Sequence, residues 1–266
     1  MAIAHHTGMA SARHEITIRH LELHDLRWAL SQGWDDFLAK RGDLIFIGII
    51  YPVAVMVVAM YALQASVLPL IFPLAAGSIL FGPAAASGFY ELARRRELGL
   101  DTRWRHFLDV VRGPAAPSLF AMTATIFMVF MFWMSVAWFI YTATLGSVAP
   151  ESVESARAFL RAVLTTSEGW RMIIVGNLAG LAFAILTLAI SVVSFPMLVD
   201  RPVGWVVALR TSVRVAWKNP VPIAVWGLIV VGLLVLGSIP ALVGLAVVLP
   251  VLGYATWHLY TRAVVR

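Results

Sequence analysis

The stretch Phe81–Gly99, "FGPAAASGFYELARRRELG", decides how the chain is read. It closes a long apolar run, passes a proline and two glycines, and then meets a tyrosine, a glutamate and three consecutive arginines. A helix leaving hydrocarbon for water has this order. Arginine at the bilayer midplane costs about 2.5–3.5 kcal/mol on insertion scales, so Arg94, Arg95 and Arg96 lock the exit, and Tyr90 anchors the boundary. Pro83 beside Gly82 is expected to kink the helix, because proline lacks an N–H and crowds the preceding turn.

The same alternation runs through the chain. Its 266 residues are 61 % hydrophobic and 13 % charged, against about 45–50 % and about 25 % in soluble domains. The charges lie in blocks between apolar runs, which predicts an all-α, polytopic membrane helical bundle. Six spans are expected, at about Leu44–Leu63, Val67–Tyr90, Ser118–Leu145, Met172–Val199, Val221–Leu236 and Ile239–Tyr260. "GSIP" (Gly237–Pro240) reads as a tight hairpin turn between the last two. Residues 1–18 are expected to be a flexible tail and 19–266 a single membrane domain. Met1–Asp43 has no apolar core of the kind a signal peptide needs, so the first apolar segment is expected to remain as a span.

Orientation follows from Lys and Arg. The N-terminal segment carries five, the loop after the second span six, the loop after the fourth span four and the tail two. The other side holds only Arg157, Arg161 and Arg171. The positive-inside rule then places both termini in the cytoplasm. It also accounts for the net charge of +6 without nucleic acid as a partner.

Three amphipathic segments each precede a pair of spans. In "LHDLRWALSQGWDDFLAKRGD" (Leu23–Asp43), Leu23, Leu26, Leu30, Trp34 and Phe37 share a helical face. In "DTRWRHFLDVVRG" (Asp101–Gly113), Trp104, Phe107, Leu108 and Val111 do so. In "VGWVVALRTSVRVAWKNP" (Val203–Pro220), Val206, Leu209, Val213 and Trp217 form one face, and Arg210, Arg214 and Lys218 another. Such helices lie in the headgroup plane, with cations towards lipid phosphate. Trp34, Trp104, Trp217, Trp257 and His258 are the expected interfacial anchors. Each pair ends in a proline-bearing exit, at Pro83, Pro196 and Pro250, so three helix-plus-hairpin units are the simplest organisation. "PESVESARAFLRAVL" (Pro150–Leu164) predicts a short outer surface helix carrying Val153, Ala156, Leu160, Val163 and Leu164.

Little here points to chemistry. There is no cysteine, which removes disulfides, thiolate metal sites and cysteine nucleophiles. No Asp, Glu, Lys or Arg lies deep within a span, unlike ion-coupled transporters. His20 and His24 have the i, i+4 spacing of a metal pair, but a polar helix face with Glu22 and Asp25 is the better reading, and no metal or other cofactor is implied. His258 is the one histidine in a span and lacks the partner that a bis-histidine haem requires. "GNLAG" places Gly176 and Gly180 for close helix approach, with Asn177 expected to hydrogen-bond across the contact. Tyr90, Glu91, Arg94, Asp200 and Arg201 are the candidate cytoplasmic-face polar cluster, in which Asp200 and Arg201 could pair with Glu91 and Arg94.

Four pieces, "GFYELARRRELG" (Gly88–Gly99), "SFPMLVDRPV" (Ser194–Val203), "KNP" (Lys218–Pro220) and "LPVLGYATWHLYTR" (Leu249–Arg262), resemble an uncharacterised family of bacterial integral membrane proteins, domain of unknown function 2189. The resemblance implies a multi-pass protein of the bacterial inner membrane. That family's pattern more often has histidine where Tyr254 stands, so a His pair one turn apart is broken here and no metal or haem role carries over to His258. Some members are labelled a cytochrome c oxidase subunit I; six spans and one span histidine do not match that subunit, which has twelve spans and six metal-binding histidines. The expectation is a non-enzymatic accessory, assembly or scaffolding protein that contacts membrane lipids, including anionic headgroups, and a membrane protein partner or a second copy of itself. The alternative is a transporter or channel for a neutral or lipidic solute, lined by Asn177, Thr187, Ser191 and Ser194.

Overall fold

The structure, a computed structural model, describes residues 16–39, 53, 68–148, 155–240 and 242–266. The expected span Leu44–Leu63 (Val53 apart), the expected tail up to residue 15, and Val153 lie outside the described residues. Helix α1 covers 23–39. A 3-10 turn at Leu68–Leu70 leads into α2 (Ile71–Ser78), a second turn at Ile79–Phe81, α3 (Gly82–Ala85) and α4 (Ser87–Glu97). The 3-10 helix Trp104–Val111 precedes α5 (Ala116–Ala143) and α6 (Leu145–Val148). Then come α7 (Ala156–Thr165), α8 (Ser167–Ser191), α9 (Ser194–Asp200), α10 (Trp205–Lys218), α11 (Pro220–Ser238) and α12 (Leu245–Ala263).

Four helical segments among the described residues are long and apolar enough to cross a membrane: Leu68–Glu97, Ala116–Val148, Ser167–Asp200 and Pro220–Ser238. They correspond to the second to fifth expected spans, each somewhat longer than its apolar run. The sixth differs. α12 begins at Leu245 rather than Ile239, and it does not reach the apolarity of the other four because Thr256, His258, Thr261 and Arg262 fall within it. The hairpin expected at "GSIP" is present: α11 ends at Ser238 and α12 returns beside it. A side chain at Gly244 would meet the Gly237 carbonyl at 2.7 Å, so this turn closes only on glycine.

Two of the three prolines sit where the helix is interrupted. Pro83 follows the turn Ile79–Phe81, and Pro196 follows a break at Val192–Val193, as expected for a residue that cannot bond the preceding turn. Pro250 lies inside an uninterrupted α12. At the second break the freed backbone groups are re-satisfied: Ser212 Oγ donates to Ala189 O at 2.8 Å and accepts from Val193 N–H at 3.3 Å.

The molecule divides into a basic head and an apolar stem. In the head, α1, α4, the helix Trp104–Val111, α9, α10 and the second half of α12 enclose one core. It contains Leu26, Phe37, Phe89, Tyr90, Phe195, Met197, Val215, Trp226, Trp257 and Tyr260. Its helices touch through small residues: a side chain at Gly33 would meet the Ala255 backbone N at 2.6 Å, and one at Gly253 would meet Phe89. The chain's two flanks join there. Ile18 and Val264 form an antiparallel bridge, with Arg19 N–H donating to Ala263 O at 2.9 Å and Val265 N–H to Thr17 O at 3.0 Å. Ile18, within the expected tail, is therefore buried. In the stem, Trp133 Nε1 pins α5 to Pro73 O of α2 at 2.9 Å. A small second core at the far end joins Tyr141, Leu145 and Val163.

The amphipathic segments present faces other than those expected. In α1 the buried face is Asp25, Leu26, Ala29, Gly33, Asp36 and Phe37, while Leu23 and Trp34 point outward. In α10, Ala208, Thr211, Ser212 and Val215 are buried. The expected stripe of Val206, Leu209, Val213 and Trp217 is half-buried to exposed. In both, the small face packs inward because it lets backbones approach, and the bulky apolar face is left outward. The segment Trp104–Val111 is a 3-10 helix rather than an α-helix. At three residues per turn i and i+3 align, so Phe107 and Val110 pack inward while Trp104, Leu108 and Val111 are exposed. The outer helix forms as α7, capped by Ser155 Oγ accepting from Ala158 N–H.

Candidate functional site

The head concentrates the charge into a connected lattice. Glu91, buried one helical turn before the arginines, accepts a two-pronged bond from Arg94 Nε and Nη2, both at 2.8 Å, and a third from Arg95 Nε at 2.8 Å. Arg95 reaches on to Asp109 at 2.9 Å, and His106 Nδ1 contacts the same Asp109 oxygen at 2.7 Å. The His106 hydrogen bond, with Arg95 and Arg112 nearby, holds the Asp109 carboxyl below the usual carboxylate range. Asp200, at the end of α9, accepts from Tyr260 Oη at 2.7 Å and from Arg266 Nη2 at 3.1 Å. Arg266 also bonds Glu97, whose other oxygen accepts from Trp257 Nε1 at 3.3 Å, and stacks 5.3 Å from the Trp257 ring. Burial works against the charge on Arg266, but the bonds to Glu97 and Asp200 outweigh it and raise its pKa.

Between Trp104–Val111 and the exit of α9 lies a cleft of about 390 Å³, lined by Glu91, Arg94, Asp109, Leu198, Asp200 and Arg201 among others. Four of the five residues of the expected polar cluster therefore meet. Tyr90 does not: it is buried on the other side of α4, against Thr256. The expected cross-pairing of the two exits is also replaced. Each carboxylate takes arginines that reach it without a long crossing: Glu91 those three and four residues on, Asp200 its neighbour Arg201 at 3.5 Å and Arg266. The lattice binds guanidinium groups to carboxylates, while Val110, Pro114, Ala115, Leu198 and Val199 make much of the cleft lining apolar.

His258 and Trp257 are not interfacial anchors. Trp257 is fully buried in the head. His258 is half-buried, with Nε2 on Asp36 Oδ2 at 2.8 Å and its ring edge-on to Trp28 at 5.6 Å. Asp36 also holds Arg96 at 3.2 Å, so α1, α4 and α12 are tied at one carboxylate. Arg262 stacks 4.0 Å over Trp28. Trp34 and Trp104 are exposed, and Trp217 is 81 % exposed. Among the described residues no group of three or more His, Asp or Glu is placed to hold a metal ion. His24 instead contacts Glu22 and Asp25. Asn177 does not reach across a helix contact: its amide donates to Ile173 O of its own helix at 2.8 Å. Gly180 faces Trp133, whereas Gly176 opens onto empty space.

The residue sequence reasoning missed is Asn219. It is buried at the α10–α11 junction, accepts from Leu21 N–H at 2.8 Å, and donates to Arg19 O and Val215 O at 3.2 Å. Lys218 adds a bond to Ile18 O at 2.7 Å. "KNP" is thus a clamp on the segment before α1, with Pro220 starting α11. Its one signal was a polar side chain placed just before a helix-starting proline.

Apolar spans, a lattice of buried ion pairs at one end and outward-facing apolar interfacial helices define a polytopic α-helical integral membrane protein. Residues 71–200 match the model of a family described as a predicted integral membrane protein (DUF2189). The match takes in α2 to α9, and hence every side chain named in the cleft except Arg201. No curated protein and no solved structure matches the chain.

Proposed function

We propose that the protein is a non-enzymatic scaffold of the bacterial inner membrane, accessory to a larger membrane assembly, which it engages through the charged cleft of the head. The cleft carries this reading. Its carboxylates are spent on fixing arginines rather than poised to exchange protons, and the depressed Asp109 is the reverse of a catalytic acid. Fixed charges beside an apolar lining suit a partner segment that carries both charged and apolar side chains.

Six spans with both flanks on the cytoplasmic side fit the same picture. The bridge between Ile18 and Val264 supports an even number of crossings. The exits of α4, α9 and α12 meeting in one core favour three related units. The transport alternative has less support: Thr187, Ser191 and Ser194 are buried whereas Asn177 is exposed, so the four do not share a lining.

Mild-detergent isolation from native membranes, with mass spectrometry of retained proteins, tests the scaffold. A stoichiometric partner is expected with the native chain and is expected to be lost with Arg201→Glu, a rim substitution that spares the Glu91 lattice. An unchanged protein set sinks the reading. The cysteine-free background allows a topology test in the same preparations. Cysteines at Arg27 and Arg103 are expected to react only from the cytoplasm, and one at Ser147 only from outside.

A further inference from the structure

The stem carries one strongly hydrogen-bonding side chain where hydrocarbon offers it nothing. Asn177 is exposed on α8, and it is the sole amide or charge in the sequence between Arg171 and Asp200. It stands six residues beyond Arg171, about 9 Å along the helix and so below the headgroups. Its amide gives one N–H to Ile173 O. The second N–H and Oδ1 have no bond among the described residues. Lipid tails have neither donor nor acceptor, so both groups favour a protein partner.

The residues around it are spaced for one. Trp170, Ile174, Asn177, Leu181 and Ala184 recur at alternating steps of four and three, and all five are exposed. This spacing is the seam along which two helices supercoil, and a single polar residue within such a seam sets its register. Gly176 and Gly180 lie off the seam, and Gly180 is already covered by Trp133. A second copy is the occupant that fits. Copies inserted in one orientation are related by a two-fold axis along the bilayer normal, so α8 meets α8 in parallel and each residue meets itself at its own depth. Asn177, with one donor and one acceptor left, is its own complement. A foreign helix would have to bring a matching polar group to the same level.

We infer that the protein forms a parallel two-fold dimer in the membrane, closed along this seam of α8, with the Asn177 amide of each copy donating to Oδ1 of the other. The interface requires that α8 sit in a membrane but is independent of the cleft and its partner.

The chain has no cysteine of its own, so single cysteines report contacts. In oxidised membranes of the expressing cells, Ile174→Cys and Leu181→Cys are each expected to give a disulfide-linked species of twice the chain's mass. Leu228→Cys, exposed on α11, is expected to stay monomeric. In liposomes of falling protein content, with one fluorophore per chain, photobleaching steps count the copies. The dissociation constant is expected to rise about tenfold or more in Asn177→Leu, the weight of an interhelical hydrogen-bonded pair, and less than about threefold in Asn177→Gln, which keeps an amide. Should Asn177→Leu not insert, the cysteine pattern reads the seam with Asn177 in place. A monomer at every protein content, equal cross-linking at Leu228→Cys, or an unchanged constant in Asn177→Leu each overturns the assignment. So does linkage of Leu181→Cys to a different protein, or within one chain to Val53→Cys, since either gives this face another occupant. Arg201→Glu is expected to dimerise as the native chain does, which separates this result from any failure at the cleft.

Discussion

The head and the stem are built from similar helices but held together by different means. In the head, backbones close on glycine and alanine: Gly33 lies against Ala255, and Phe107 covers Gly88. Buried carboxylates tie the elements, with Glu91 joining two arginines of its own helix and Asp36 joining α1, α4 and α12. In the stem, at most 39 % of any span's most apolar window is buried, and Phe120, Phe132, Leu178 and Leu228 face outward. Lipid tails are as apolar as leucine, so the stem gains little by burying them. The head borders water, where packed small residues and paired charges hold the ends together. Stability should therefore reside in the head.

The largest effect should come from Glu91→Ala. It leaves Arg94 and Arg95 side by side without their shared carboxylate, and breaking a buried pair in this way costs about 3–5 kcal/mol. Thermal unfolding in detergent should show it, and an unchanged midpoint would break the contrast between the two regions. Gly33→Val comes next, at about 1–3 kcal/mol, since the added atoms meet backbone that cannot move aside. A smaller effect is expected from pH. The Asp109 carboxyl is depressed in the folded state, so its contribution is complete above the unfolded value of about 3.9 and is lost as pH falls through the lower folded value. Unfolding midpoints compared at pH 6 and pH 3 should differ less in Asp109→Asn than in the native chain. The smallest effect is Gly176→Ala in the stem. With nothing within 4 Å of the new atom, it should stay within about 0.5 kcal/mol; a large loss would place a helix partner on that face.

The spans and the basic end were legible because both are local sums: about twenty apolar residues, and cations gathered between them. The candidate cluster was legible in part. Glu91, Arg94, Asp200 and Arg201 stand at equivalent exits, and equivalence brought them into one cleft. Tyr90 looked equally suited, but one residue's rotation around α4 turns it to the opposite side. The anchors divided on the same ground. Trp217 and Trp257 both flank charged exits, yet one is exposed and the other is enclosed by Glu97, Arg266 and Tyr260.

Transfer free energy adds residue by residue, so the sequence by itself determined a helical membrane protein with its cations at one end. Only the tertiary structure decided which faces of α1 and α10 turn inward. For a helix between protein and lipid both surroundings accept an apolar side chain, so periodicity marks a stripe without saying which neighbour receives it. The same holds for contacts far apart in sequence. The His258–Asp36 bond and the Asn219 clamp join residues about two hundred positions apart, and no local pattern records which distant partner satisfies a buried polar group.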